Sequence, residues 1–373
     1  MTDNRPSSNC FRSPFPTHGE PRVWLITAGD SSIGISVARQ ILAHGDYALL
    51  GLAYSGSESD IYPSHSFDAF LAEVDRHSEE GWDRRLKAVP LDIRVISECQ
   101  AAVAEAVSTF GKVDILFCCT SQAIIGTVEE LAASQQALNL VRNQFETNFF
   151  GPVNIIKATL PHMRKQKSGH VMVLSGIASH LGTPGLGMYC AAGWALEGFC
   201  DSLAYEIAPF NVKLTILQAS IEIGILTNLV TSVPPITPAY SPAVNPAPLF
   251  RGILNRLVSR LLDTAPSPSD NDGHDSDDES GGEQVNPSEV GPFSAPEVVS
   301  MYPPLSSTHL EVLVAETVHA ITSIGGHENP PSRHIVGHEG AASVKEKLKT
   351  VSKELEDFVQ TSYAVDITAD ENA

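Results

Sequence analysis

Short apolar runs of strand type alternate with stretches of helical periodicity from Val23 to Leu217, and this alternation constrains the fold more than any other feature. Val23-Trp24-Leu25-Ile26-Thr27 is apolar and too short for a helix, and a turn of Gly29, Asp30 and Ser31 follows it. From Ile33 to His44 the apolar residues return at helical spacing (Ile33, Val37 and Ile41, with Ala38 and Leu42 beside them), and Gly45-Asp46 stops the helix. Strand-type runs recur at 47–52, 86–91, 113–118, 171–174 and 212–217. Helical stretches fall at 67–80, 96–110, 137–167 and 189–207. Pro152 and Pro161 require the third of these helices to be kinked or divided. A further strand at 333–336 stands between helices at 310–324 and 341–359. Such alternation argues for an α/β fold, a Rossmann-type doubly wound parallel sheet with helices on both faces.

The rest of the chain reads as additions to that single domain. Residues 1–21 are polar, with four prolines, and are expected to form a disordered leader without the apolar core of a signal peptide. The domain proper runs from 22 to 230. Residues 231–262 follow as a proline-rich loop and an amphipathic helix, whose apolar stripe includes Phe250, Ile253, Leu254, Leu257 and Leu261. This segment reads as a lid over a hydrophobic substrate, with a membrane-surface helix as the lesser reading. Residues 263–308 form an acidic, Ser/Pro/Gly-rich insertion expected to be disordered. Residues 309–373 return to complete the domain.

Charge narrows the function classes. The net charge is −20, and ten carboxylates with no Lys or Arg lie between Asp263 and Glu297. That excludes a nucleic-acid surface over the chain as a whole. No apolar run reaches transmembrane length. The six cysteines are scattered and show no C-x-x-C spacing, which fits reduced thiols in a cytoplasmic protein. No metal site is expected from residue spacing.

The turn Ile26-Thr27-Ala28-Gly29-Asp30-Ser31-Ser32-Ile33-Gly34 stands where a dinucleotide pyrophosphate meets a helix N-terminus. Far along the chain, Met188-Tyr189-Cys190-Ala191-Ala192-Gly193-Trp194-Ala195-Leu196-Glu197-Gly198 resembles the tyrosine motif of the short-chain dehydrogenase/reductase family, Y-x-x-x-K. The first turn is similar to that family's T-G-x-x-x-G-I-G, matching at Thr27, Ile33 and Gly34, with Ala28 and Ser32 in place of the two earlier glycines. Leu91-Asp92-Ile93 resembles its L-D-V, and the stretch around Asn148 resembles the segment carrying its asparagine. The resemblance covers residues 22–225 and the terminal segment 333–362.

The resemblance implies NADP or NAD as cofactor, held by Thr27, Ser32, Ile33, Gly34, Asp92, Ile93, Asn148 and Tyr189. It implies Tyr189 and Asn148 as the catalytic residues that remain. The family's serine falls on Gly176 and its lysine on Gly193, so two of the usual four are replaced by glycine. Ser175 is expected to face away by strand alternation, and Ser179 to reach the site only if the loop bends. Without a lysine one helical turn away, Tyr189 is expected to titrate near the free phenol value of about 10. Three roles for Tyr189 stay open: slow proton donor, ligand contact, or a partly buried helix residue. Two functions stay open with them. One is carbonyl/alcohol redox on a hydrophobic small molecule with weakened catalysis. The other is a silent ligand-binding or protein-interaction module. The family also implies a homodimer or homotetramer through the helices near 141–167 and 189–208.

Overall fold

The computed structural model describes residues 15–52, 62–220, 229–233 and 307–359. Its centre is a seven-stranded parallel sheet in the order β3-β2-β1-β4-β6-β7-β9. These strands are β1 (Val23–Ile26), β2 (Tyr47–Leu52), β3 (Leu86–Pro90), β4 (Ile115–Cys118), β6 (Gly169–Gly176), β7 (Val212–Ala219) and β9 (Arg333–Ile335). The doubly wound sheet expected from the alternation is therefore present. β1 lies between β2 and β4, with Trp24 paired to both Ala48 and Ile115. The strand order reverses there, and open sheets of this kind bind ligands at that crevice.

Both faces of the sheet are covered, which is why the strands read as continuous apolar runs. Successive side chains of a strand point to opposite faces. Trp24 and Ile26 accordingly pack with α1 (Ser32–His44) and α10 (Ser307–Ile324), together with Leu50 and Phe117. Leu25 packs with Leu49 and Leu116 on the other face, against α4 (Ile96–Phe110), α7 (Gly151–Gln166) and α9 (Gly187–Ile207). Helix α1 starts on a Ser31 cap and ends on Gly45, whose φ of 102° is left-handed.

Two features differ from the sequence expectation. The long helix is divided, as expected, but at a π-helical turn, Glu146–Phe150, between α6 (Gln135–Phe145) and α7. Pro152 stands in the first turn of α7, where its missing N–H costs nothing, and Pro161 is carried inside the helix. The second difference is a small parallel sheet of β5 (Gln122–Ile125) and β8 (Leu229–Ser232) beside the cleft. The lid helix at 249–262 and the acidic insertion up to residue 306 lie outside the described residues, as do 1–14.

The last strands are joined by a buried histidine. His170 on β6 is 2% exposed. Its Nδ1 accepts from the Gly326 N–H at 3.0 Å, and its Nε2 lies 2.9 Å from Thr215 Oγ1. Thr215 already donates to the Pro331 carbonyl, so Nε2 must carry the hydrogen and the ring is neutral. Burial, followed by Lys213, Arg22 and His327, lowers its pKa to about 3. Stability from the neutral ring is fully present above the unfolded value of 6.5 and is lost as pH falls toward about 3. Urea unfolding at pH 7.5 and 5.5 is expected to show wild type losing about 1.4 kcal/mol more than His170→Gln. Equal losses would show that the ring accepts a proton in the folded state.

Candidate active site

The crevice at the C-terminal ends of β4 and β6 encloses a cavity of about 30 Å³, lined among others by Ser121, Asn148, Ser175, Ser179, Tyr189 and Gly193. A cavity of that size holds one or two waters. Tyr189 stands in the first turn of α9, and its phenol is hydrogen-bonded to the Ser121 hydroxyl. Burial pushes the Tyr189 pKa above its ordinary 10, the Ser121 hydrogen bond opposes that, and Cys190 adds to it. The expectation of a free phenol value is thus corrected upward: with glycine at 193, no cation among the described residues opposes desolvation.

A β-carbon added at Gly176 would lie 3.7 Å from Tyr189 Oη, in ordinary contact. Position 176 therefore faces the tyrosine, with room for a serine. Position 193 is different. A β-carbon there would stand 1.9 Å from Ser179 Oγ and 3.1 Å from Ser179 Cβ. The chain after β6 bends through a short helix, α8 (Ala178–Leu181), and this carries the Ser179 hydroxyl into the space where a side chain from 193 would begin. Gly193 is not an empty position; its room is filled from the opposite wall.

Ser179 opens a buried polar chain. Its hydroxyl is 3.3 Å from Ser175 Oγ, and Ser175 donates to Glu197 Oε1 at 2.8 Å. The expectation that Ser175 faces away is overturned: it is in phase with Val171 and Val173, which pack against α9, and its hydroxyl reaches within 3.9 Å of the 193 β-carbon position. Glu197 is 1% exposed and lies one helical turn beyond Gly193. It also accepts from Gln218 Nε2 at 2.9 Å and from Arg333 at 3.2 Å. Gln218 Nε2 lies 3.2 Å from His180 Nδ1, and the His180 ring stacks on Trp194. Sequence reading missed Ser121, Glu197, Gln218 and Arg333. Only Glu197 left a signal: a carboxylate four residues after Gly193 and eight after Tyr189 on an otherwise apolar helix face.

The other expected residues are brought to the crevice in different roles. Asn148 sits in the π turn, 7% exposed. Its amide holds the backbone of Gln122 on β5, accepting at 2.7 Å and donating at 2.8 Å. Thr27 is 1% exposed, and its hydroxyl accepts from the Cys119 and Thr120 amides and from Thr120 Oγ1, which ties β1 to the end of β4. Asp92 is held by Arg94 in a two-pronged pair at 2.9 and 2.7 Å, and that hydrogen bond pulls its pKa below the ordinary value against burial. Ile93 is buried against the start of α7.

At the phosphate turn, Ser31 Oγ accepts from the Gly34 N–H at 3.0 Å and donates to the Ala28 carbonyl. A β-carbon at Gly34 would lie 2.0 Å from that carbonyl, and one at Gly29 would lie 2.4 Å from Leu50 Cβ. Glycine is required at both for close packing. The turn leaves the Ser32 and Ile33 amides as the first N–H groups of α1, which suits a pyrophosphate. Ala28 is buried in the core, and Ser32 is exposed at the first position of α1. The residues therefore fit a dinucleotide. The segment after β2 that would select NAD or NADP, 53–61, lies outside the described residues.

The short chain dehydrogenase family model matches residues 22–230. The chain belongs to the short-chain dehydrogenase family. It is 34% identical over 206 residues to retinol dehydrogenase 8 of Bos taurus, covering 53% of this chain and 58% of that protein. It is 29% identical over 197 residues to an oxidoreductase of Botryotinia fuckeliana, covering 53% and 64%. With 17-beta-hydroxysteroid dehydrogenase type 1 of Homo sapiens it shares 35% over 133 residues, covering 36% and 38%. The chain thus spans less than two thirds of the length of these relatives. A short-chain dehydrogenase from Streptomyces avermitilis superposes with a TM-score of 0.61 at 22% identity, over 94% of this chain and 100% of that one, a likeness of fold. Members of this family generally use NAD(P). Among the described residues no helix is long and apolar enough to cross a membrane.

Proposed function

We propose that the chain is an NAD(P)-dependent oxidoreductase of hydrophobic carbonyl or alcohol compounds, with acid–base catalysis weakened by loss of the serine and lysine. The observation that carries this is the Tyr189 phenol, aimed at position 176 across the cavity and held by Ser121. A bound nicotinamide would supply or accept the hydride. The Ser32 and Ile33 amides, at the N-terminus of α1, would hold the phosphates, and Asp92 would contact the adenine. In the reducing direction Tyr189 gives its proton to the carbonyl oxygen; in the oxidising direction its phenolate removes the hydroxyl proton. The hydrophobic substrate class rests on two relatives, named for retinol and for a steroid, and on the apolar side chains Pro152, Val173, Leu174 and Leu196 in the cavity lining. A homodimer through α7 and α9 accompanies this reading, supported by the exposed Trp194 and Tyr205 on α9.

The same Ser179 that fills the 193 position favours a second reading, a ligand-binding module without turnover. Fluorescence titration with NADH and NADPH, followed by turnover of a panel of retinoid, steroid and long-chain ketones, separates the two. The enzyme reading expects cofactor binding and a slow rate that Tyr189→Phe abolishes. Binding without turnover supports the module, and no binding at millimolar cofactor sinks the enzyme reading.

Direction of pH dependence gives a further test. Alcohol oxidation needs the phenolate, whose pKa lies above 10. The rate is expected to climb about tenfold per pH unit without a plateau below pH 10, since each unit multiplies the phenolate fraction tenfold. A plateau near neutral pH would mean that an unrecognised cation lowers the tyrosine.

A further inference from the structure

At the opposite end of the sheet from the crevice, three side chains converge from separate stretches of chain. His18 lies in the extended segment before β1, His44 is the last residue of α1, and Asp46 stands between α1 and β2. Their ligand atoms all lie within 4.8 Å of one another. His18 Nε2 is 3.4 Å from Asp46 Oδ1, and His44 Nδ1 is 3.9 Å from Asp46 Oδ2. Asp46 is 1% exposed. Its Oδ1 accepts the Arg22 backbone N–H at 2.9 Å, but its Oδ2 is buried with no hydrogen-bond partner. His18 Nε2 is likewise buried without one. Two polar atoms in that condition, both turned into one small space, are costly unless something sits between them.

We propose that His18, His44 and Asp46 form a metal site for Zn²⁺ or a similar borderline transition ion, which fastens the segment before β1 to the junction of α1 and β2. Two imidazoles and one carboxylate suit such an ion, with a fourth position for water. Tetrahedral Zn²⁺ with bonds near 2.0–2.1 Å sets its ligand atoms roughly 3.3 Å apart, so ligand atoms that lie within 4.8 Å of one another would draw in by up to about 1.5 Å on binding. The surroundings fit a built site. The Arg22 N–H fixes the carboxylate, and its guanidinium, which bonds to the Gly325 carbonyl, is close enough for its charge to act on Asp46 as well. Phe15 covers the His44 ring at 4.1 Å between centroids. The site stands apart from the crevice, so the ion is structural and the proposal does not depend on catalysis.

The residues are separated in sequence by a strand, a turn and a helix, which is why no spacing motif announces them. The test uses the full chain stripped with a chelator, then titrated with Zn²⁺ by calorimetry and with Co²⁺ by visible absorption. Binding of one equivalent, intense tetrahedral Co²⁺ bands and a higher melting temperature with Zn²⁺ but not Mg²⁺ are expected. His18→Ala is expected to weaken Zn²⁺ binding by at least about tenfold, by the scale of lost shell contacts, while melting like the metal-free wild type. Asp46→Asn should abolish binding. No stoichiometric binding at 100-fold excess of ion, roughly 1 mM in this titration, would overturn the proposal in favour of a plain histidine–aspartate pair. Zn²⁺ binding that His18→Ala leaves unchanged would overturn it as well.

Discussion

Gly193→Lys made alone is expected to lower the melting temperature and leave turnover no higher. The new β-carbon would meet Ser179 Oγ at 1.9 Å and Ser179 Cβ at 3.1 Å. The hydroxyl can rotate, but the Cβ contact stays tight, and overpacking of a buried site costs about 1–3 kcal/mol. That corresponds to a fall of roughly 3–10 °C for a domain of this size. Lysine is a better helix residue than glycine by about 1 kcal/mol, which offsets part of the loss. Ser179→Gly removes both obstructing atoms. Gly176→Ser needs no such help, since nothing comes within 3.7 Å of its β-carbon. The triple replacement is therefore expected to recover stability and to raise turnover at pH 7 by about 10²–10⁴-fold, the usual worth of acid–base help. Its oxidation rate should also gain a plateau as the ammonium lowers the tyrosine. Steady-state kinetics and thermal melts of the parent, the single and the triple variant decide it. A stable and faster Gly193→Lys single variant would show that Ser179 gives way freely.

The fold was legible because its signals are local. All seven strands of the main sheet were expected within two or three residues of their positions, since buried parallel strands are short apolar runs between helices of clear period. The small sheet was not legible. Gln122–Ile125 follows β4 after three residues, and its partner Leu229–Ser232 comes about a hundred residues later beside a proline-rich stretch. Nothing local marks such a pair. The helix break was expected from the prolines, yet it falls at a π turn, where Asn148 binds the β5 backbone. That contact is with a strand three elements earlier, which no local pattern marks.

The site was legible in its outline and not in its chemistry. Motif order located Tyr189, Asn148, Gly176 and Gly193 in one crevice. It could not show why position 193 holds glycine, because the reason is the bend at α8 that brings Ser179 across. Nor could it show that a carboxylate and an arginine 136 residues apart share the wall behind the cavity. His18, His44 and Asp46 were invisible for the same reason: each is an ordinary residue near the end of an element until the sheet gathers those ends.

Arg333→Met is expected to destabilise the fold by about 2–3 kcal/mol, at or below the lower end of the range for breaking a buried pair, because a third of the Arg333 side chain meets solvent. Glu197 is buried on α9 and takes Ser175, Gln218 and Arg333 as donors. Arg333 is the cation bound to it, and it also reaches Asp201 at 3.0 Å on the exposed side. Removing the cation leaves a carboxylate held only by neutral donors. Glu197→Gln in the same chain removes the charge that needed balancing, so the two losses should not add. A double-mutant cycle by urea unfolding is expected to give a coupling of about 1–2 kcal/mol. The pair also has a functional edge. Arg333 is on β9, which reaches the sheet only from the segment after residue 306, and through Glu197 it fixes Ser175 and Ser179 beside the tyrosine. Arg333→Met should therefore weaken cofactor binding or turnover more than its cost in stability explains at 25 °C, where the variant is still folded. Coupling near zero, with kinetics unchanged, would show that the last strand is held by its backbone alone and that the polar wall sets nothing in the site.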